Sequence, residues 1–230
     1  MKVVYPKNFS LSRNKIILDY CKWKKVLHIW ACDAPYTLEK FSWEMWPLLY
    51  REIDKVCYKQ LWIDLDKESI EFLNSKKDLF PNSEVKFFDM NELKDLGFEP
   101  DIIIFWEVIE HLMNLEIALT NLKQVMKKDT LLIISTPNAY YLWNFLYAII
   151  WREYMHPDHK VYFSYWYLEN LLNFNWLKLK KWYFTFLDSN YKSLNIRWKI
   201  FWNFFINIIK IFFKWLSQDL LFICKKKNVK

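Results

Sequence analysis

A chain of 230 residues with a single glycine, Gly97, must make nearly every tight turn with residues that carry a side chain. That restricts its folding, because left-handed backbone at turns and helix ends costs such residues energy that glycine escapes. Ordinary usage of about 7% would give roughly sixteen glycines. The chain has 14 tryptophans instead, so the glycine deficit and the tryptophan excess are nearly equal. The sharpest case is "KVLHIWACDAPYT", Lys25 to Thr37. It starts as a buried strand running into a loop, and Trp30 stands where the backbone should turn.

Despite this, the apolar pattern is regular. Short β-rich runs are expected at Val26–Trp30, Gln60–Leu65, Val85–Phe88, Ile102–Trp106 and Leu131–Ser135, the last stopped by Pro137. Helical patterns alternate with them: Glu39–Val56 broken near Pro47, Lys67–Lys77, and Leu115–Lys127 with Leu119, Leu122 and Met126 on one stripe. Tyr165–Asn173 reads as a short helix, and Lys178–Phe186 and Leu220–Lys225 as late strands. The run "IIIFW" is apolar at every position, as in a parallel strand covered on both faces. This βαβα rhythm predicts a doubly wound α/β sheet. The seven prolines fall at junctions. With no repeat and no flexible linker, the expectation is one domain over 1–230, with a helical lead-in over 1–22.

Hydrophobic residues make up 53% and charged residues 26%, which excludes a disordered or collagen-like chain. Cys21, Cys32, Cys57 and Cys224 show no zinc spacing and read as reduced thiols of a cytoplasmic protein. The N-terminus has no apolar signal region. The net charge of +7 permits attraction to anionic lipid or nucleic acid. Arg197–Leu216, "RWKIFWNFFINIIKIFFKWL", is intensely apolar but carries a polar stripe of Lys199, Asn203, Asn207, Lys210 and Lys214. Such a stripe argues against a membrane span. It leaves a helix packed before the last strand, or one lying on a membrane at the inner face.

The segments "KKVLHIWACDAPYT", "QLWIDLDKESIEFLN", "VKFFDM", "PDIIIFWEVIEHL", "LLIISTPNAYYLWNFL" and "HPDHKVYFSYWYLENLL", in this order, resemble class I S-adenosylmethionine-dependent methyltransferases from about Arg13 to Lys226. The resemblance implies a Rossmann-like, seven-stranded, mostly parallel sheet with helices on both faces. It also exposes a systematic departure. Trp30, Trp62 and Trp106 fall on small or glycine positions of the family pattern, Trp23 and Trp176 where turn or helix-ending glycines belong, and Trp43, Trp46, Trp143 and Trp151 in glycine-like contexts. Random substitution does not choose one residue type. Some bacterial lineages read UGA as glycine, and the Lys, Asn, Ile and Phe richness fits an AT-rich genome. The expectation is that UGA codons for glycine have been rendered as tryptophan.

The resemblance assigns a cofactor site for S-adenosylmethionine to Ile29, Trp30, Ala31, Asp33, Asp64, Leu65, Asp89, Met90 and Glu107. A carboxylate at the end of the second strand, Asp64, offers two acceptor oxygens to the ribose diol. Asp66 reads as a helix cap, and Asp89 as either an adenine contact or a turn former. "EVIEHL" puts Glu107, Glu110 and His111 on one face if it begins a helix. With His159 from "HPDHK", and His156 nearby, they form the candidate catalytic set. The same four residues, Glu107, Glu110, His111 and His159, also resemble the metal site of terminal small-RNA 2′-O-methyltransferases, which would take Mg2+ or another divalent ion. "STPN", Ser135 to Asn138, should line the acceptor pocket.

Three functions remain open at this level. The leading one is O-methylation of a small molecule or glycan. The second is a metal-dependent RNA 2′-O-methyltransferase, although no basic cluster lies near the site. The third is a non-catalytic, membrane-associated protein on the same fold.

Overall fold

The computed structural model describes residues 9–10, 12–30, 32, 49–153, 156–185, 208 and 212–227. Its strands are β1 (Phe9–Ser10), β2 (Lys25–Ile29), β3 (Lys59–Asp64), β4 (Ser83–Phe87), β5 (Ile102–Trp106), β6 (Leu131–Pro137), β7 (Leu177–Thr185) and β8 (Asp219–Lys226). Its helices are α1 (Arg13–Cys21), α2 (Leu49–Asp54), α3 (Lys67–Ser75), α4 (Leu115–Val125), α5 (Leu142–Ile149) and α6 (Tyr165–Phe174). Short side-chain caps start four of them: Ser12, Asp66, Asn114 and Ser164 each accept the backbone N–H three residues on.

One sheet has the order β1-β7-β8-β6-β5-β2-β3-β4. The pairs from β6 through β5, β2 and β3 to β4 are parallel, and β8 runs antiparallel to both β6 and β7. The seven expected strands are therefore all present, and two-residue β1 extends the β7 edge. Strand alternation sorts the core. Leu27, Ile29, Ile103, Phe105, Leu132 and Ile134 face α4 and α6 through Leu119, Leu122, Leu168 and Leu172. Val26, Ile102, Ile104 and Ile133 face α1 and α2 through Ile17, Cys21, Leu49 and Ile53. Helices thus cover both faces, as the apolar run of β5 requires.

Several expected boundaries move. β6 runs through Pro137, which pairs with Asp219. As the last residue of the ladder, a proline there gives up little pairing. The Lys67–Lys77 helix ends at Ser75 and continues as a 3-10 turn at Lys77–Leu79. Of Glu39–Val56, only Leu49–Asp54 is described as helix. Most of Arg197–Leu216 lies outside the described residues, and Lys214–Leu216 is a 3-10 turn. Among the described residues, no helix is long and apolar enough to cross a membrane. All four cysteines are free thiols.

Five described residues other than glycine have left-handed backbone: Trp23, Trp30, Glu107, Trp151 and Trp176, with φ from 50 to 63°. Four are tryptophan. Trp23, Trp151 and Trp176 each follow a helix end, and Trp30 follows β2. Trp62 is fully buried in β3 against Tyr50 and Phe80, at ring distances of 4.7 and 5.2 Å. Its indole N–H donates no hydrogen bond, an arrangement that costs desolvation energy.

Candidate active site

The strand order reverses between β2 and β5, so the crevice at their carboxyl ends is where an open α/β sheet binds ligands. β5 ends in Trp106, and the next residue, Glu107, turns sharply with φ of 50°. Its N–H donates to the Ser135 carbonyl at 3.1 Å, and its Oε1 accepts from the Ser135 hydroxyl at 2.8 Å. "EVIEHL" does not form the expected α-helix. Ile109–His111 is a single 3-10 turn, because the left-handed Glu107 aims the chain across the strand ends instead of along a helix axis. Glu107, Glu110 and His111 still gather, by different routes.

Arg13, the first residue of α1, lies buried beneath them. Its guanidinium donates to Glu107 Oε1 at 2.7 Å and stands 3.4 Å from Asp219 Oδ2 at the start of β8. Burial opposes the Arg13 charge, but Glu107, and after it Asp219, outweigh this and raise its pKa above the usual arginine value. Asp219 is the more distant partner, and burial pushes its carboxyl up to about 7 despite Arg13. Glu110 is buried, accepts from the Thr136 hydroxyl at 3.0 Å, and is driven to about 9 by burial and by Glu107. It is therefore a neutral acid at pH 7, whose Oε1 has no hydrogen-bond partner among the described residues.

The "HPDHK" loop is tied on by its backbone. The N–H groups of Lys160 and Val161 both donate to the Glu110 carbonyl, at 2.7 and 3.2 Å. This brings the rings of His111 and His159 to 4.7 Å, and His156 to 4.9 Å from His159. His111 Nδ1 lies 3.2 Å from the Asp158 carbonyl. A carbonyl only accepts, so Nδ1 carries the hydrogen and Nε2 keeps its lone pair. Burial lowers the His111 pKa, and burial with His111 and His156 lowers His159 to about 4, so both imidazoles are neutral at pH 7. One ligand atom from each of Glu110, His111 and His159 lies within 4.8 Å of the others, which is metal-ligand spacing.

A cavity of about 400 Å³ opens beside this cluster. Tyr141, Tyr147, Tyr162, Asn138, Asn144 and Gln218 line it, with Arg13, Glu107, Asp219, His156 and His159 toward its floor. Sequence reading found Asn138 and His159 but missed Arg13, Asp219 and α5, whose Tyr147 and Asn144 face the cavity.

The cofactor-side residues are less open. Asp64 ends β3 as expected, but Oδ1 already accepts from the N–H groups of Leu65 and Asp66, and Oδ2 from that of Cys32. By count, one acceptor position is left for a ribose hydroxyl. Burial raises its pKa while those backbone donors oppose the rise. Asp66 caps α3, as expected. Asp89 lies two residues past β4, where its Oδ1 accepts from the backbone and side chain of Asn91, the turn-forming alternative. Leu65 is exposed, and Met90 and Ile29 are buried. His28 is buried and lowered to about 3 by burial, so it is a neutral core residue. Ala31 and Asp33 lie outside the described residues. The carboxylates at the strand ends fit S-adenosylmethionine. Trp30 does not: its bulky, half-buried indole follows β2 where the chain turns left-handed, packs against the core and stands 6.4 Å from the His111 ring.

This fold is that of S-adenosylmethionine-dependent methyltransferases. It aligns with a SAM-dependent methyltransferase from Archaeoglobus fulgidus at TM-score 0.57 and 22% identity, over 93% of this chain and 91% of that one. An S-adenosylmethionine-dependent methyltransferase from Clostridium acetobutylicum aligns at TM-score 0.59 and 10% identity, over 98% and 93%. The N-methyltransferase NodS from Bradyrhizobium japonicum aligns at 0.55 and 10%, over 94% and 95%. No curated protein matches the chain. The chain belongs to the Methyltransferase domain family, whose model matches residues 46–187.

Proposed function

We propose that the protein transfers a methyl group from S-adenosylmethionine to a hydroxyl of a small molecule or glycan. The observation that carries this reading is the neutral imidazole of His159 lining a cavity walled by tyrosines and side-chain amides, with the His111 ring 4.7 Å from it. Its volume of about 400 Å³ suits one or two sugar-sized groups. Aromatic faces with Asn and Gln between them match a ligand with apolar ring faces and many hydroxyls. When bound, the cofactor supplies an electrophilic methyl group. The chain's own task is to hold the acceptor in line and to take its hydroxyl proton on Nε2 of His111. Glu110 is a neutral hydrogen-bond donor beside it, and Asp64 holds the ribose side. RNA suits the cavity less well, because its one lining arginine, Arg13, is already paired with Glu107.

This reading includes glycine at position 30 and at the other left-handed tryptophans, as expected if UGA codons were rendered as tryptophan. The four left-handed tryptophans support it, since no bulky side chain prefers that backbone. The test is calorimetric titration of S-adenosylmethionine into the chain as written, into Trp30→Gly and into Trp30→Ala. Binding by Trp30→Gly alone is the expected result. Absence of binding in a folded Trp30→Gly chain removes the methyltransferase reading.

One observation favours a metal-dependent variant of the same reaction. Glu110 Oε1 and His159 Nδ1 are buried, lack hydrogen-bond partners and belong to one compact group with His111. A divalent ion at that point would displace the Glu110 proton and lower the pKa of an acceptor hydroxyl. His111 would then be a ligand instead of the base.

A further inference from the structure

Among the described helices α5 is the most apolar, yet none of its residues is buried. It belongs to the stretch from Thr130 to Trp151, which carries no charged residue. Its two sides do different things. Trp143, Asn144 and Tyr147 line the acceptor cavity. Phe145 and Ile149 point the opposite way, separated from that face by about 150° at 100° per residue. Phe145, Ile149 and the following Ile150 are each more than half exposed. A surface helix ordinarily turns its apolar side to the core and its polar side to water. This one turns its mixed side to a cavity and its apolar side outward.

A second exposed apolar segment leads into the residues that bind Asn138. Phe212 is 64% and Phe213 43% exposed. The Asn138 side-chain amide donates to the carbonyls of Trp215 and Ser217, both at 2.8 Å. Asn138 also receives the Tyr140 N–H on its own oxygen just before α5. The two apolar segments therefore share one anchor, and Asn138 itself lines the cavity. In sequence Arg152 follows the stretch from Thr130 to Trp151 directly, with Glu153 after it, Lys214 follows Phe213, and the whole chain carries +7.

We propose that this face, Phe145, Ile149 and Ile150 with Phe212 and Phe213, docks on the surface of an anionic lipid bilayer, with the cavity mouth held at the membrane. A bilayer is the occupant that suits a short, uncharged aromatic and aliphatic edge on a protein of net charge +7. A groove-filling peptide would leave the convex edge of α5 uncovered. The residues that carry the argument are phenylalanines and isoleucines, so it holds whether tryptophan or glycine stands at 143 and 151. It does not depend on what the cavity methylates.

The test is co-sedimentation of the full chain with vesicles of phosphatidylcholine alone and with added phosphatidylglycerol. The expected result is binding to the anionic vesicles, weaker on neutral ones and reduced by salt. Phe145→Glu/Ile149→Glu should weaken it by about tenfold or more. Both side chains are exposed, so the variant should fold, and unchanged circular dichroism and cavity-lining tyrosine fluorescence check this. No sedimentation with either vesicle overturns the proposal, as does equal sedimentation of the double variant. A dimer in gel filtration that the double variant dissolves assigns the face to a second copy and also overturns it. Vesicle binding needs no cofactor, so its failure is separate from a failure of S-adenosylmethionine binding.

Discussion

Replacing Trp23 and Trp151 together by glycine should raise stability, although it removes two large apolar side chains. Trp23 has φ of 59° and Trp151 φ of 58°. They are 83% and 97% exposed, so almost no burial is lost with their indoles. Their backbone hydrogen bonds survive the change: the Trp23 N–H donates to the Val56 carbonyl at 2.9 Å and the Trp151 N–H to Ala148 at 3.1 Å. Left-handed backbone costs a side-chain-bearing residue about 1–2 kcal/mol. Glycine escapes this but adds roughly 0.5–1 kcal/mol of entropy to the unfolded chain. The net gain is about 1–2 kcal/mol for the pair, which for a chain of this size raises Tm by about 2–8 °C. The assay is thermal unfolding of the parent, Trp23→Gly/Trp151→Gly and Trp23→Ala/Trp151→Ala. Alanine removes the indole but keeps Cβ, so its pair should stay at the parent Tm. If the alanine pair rises as far as the glycine pair, the indoles and not the backbone were at fault, and the reasoning fails.

Two further outcomes follow from the buried charges and the histidines. Burial holds the folded pKa of Asp219 at about 7, above its ordinary 3.8. A carboxyl raised on folding binds its proton in the native state while the unfolded chain has released it. Stability therefore falls as pH rises through that window, by at most about 1.4 kcal/mol per pH unit. Asp219→Asn should flatten the decline between pH 5 and pH 7 in urea unfolding, and parallel curves for parent and variant would contradict this. For the histidines, His111→Ala in the Trp30→Gly background should lower methyl transfer about 100-fold or more while S-adenosylmethionine affinity is unchanged. Mn2+ titration of the parent and of His159→Ala separates the base from the ligand role, since heat of binding lost in the variant signals a metal.

The sheet was legible because its strands are buried on both faces. "IIIFW" and "LLIIS" are almost wholly apolar, whereas the acidic strand ends were read from the family resemblance. α5 was not legible. Its polarity does vary with helical period, but its apolar side is the exposed one, and nothing in "LWNFLYAI" tells a buried side from an exposed one. Arg13 was missed for a different reason. A basic residue opening a short helix normally faces water. Only the sheet order, which brings β8 between β6 and β7, sets Asp219 beside Glu107 and draws Arg13 under both. The histidine cluster was half legible. "HPDH" stood out by composition, but its meeting with His111 depends on two backbone bonds to the Glu110 carbonyl. Glu107 was placed on a helix because its spacing to Glu110 and His111 suits one. Its left-handed backbone, an energetically costly conformation typical of functional turns, is invisible to spacing.

The pattern of misfits also separates the catalytic readings from the non-catalytic one. A fold drifting away from catalysis would lose its polar site first, and its substitutions would vary in type. Here the acceptor side keeps a connected network in which Arg13 serves Glu107, Ser135 serves Glu107 and Thr136 serves Glu110. Such a buried network costs stability unless nearly every member is paired, so a chain that no longer used it would gain by replacing it with apolar residues. The misfits lie elsewhere and are of one kind. Of five left-handed residues other than glycine, four are tryptophan, and the fifth is Glu107 inside the network itself. The proposed reading of UGA as glycine accounts for the four by one cause, and a strained turn at the candidate site accounts for the fifth. Decay predicts neither; its one support is the misfit of Trp30, which the proposed reading removes.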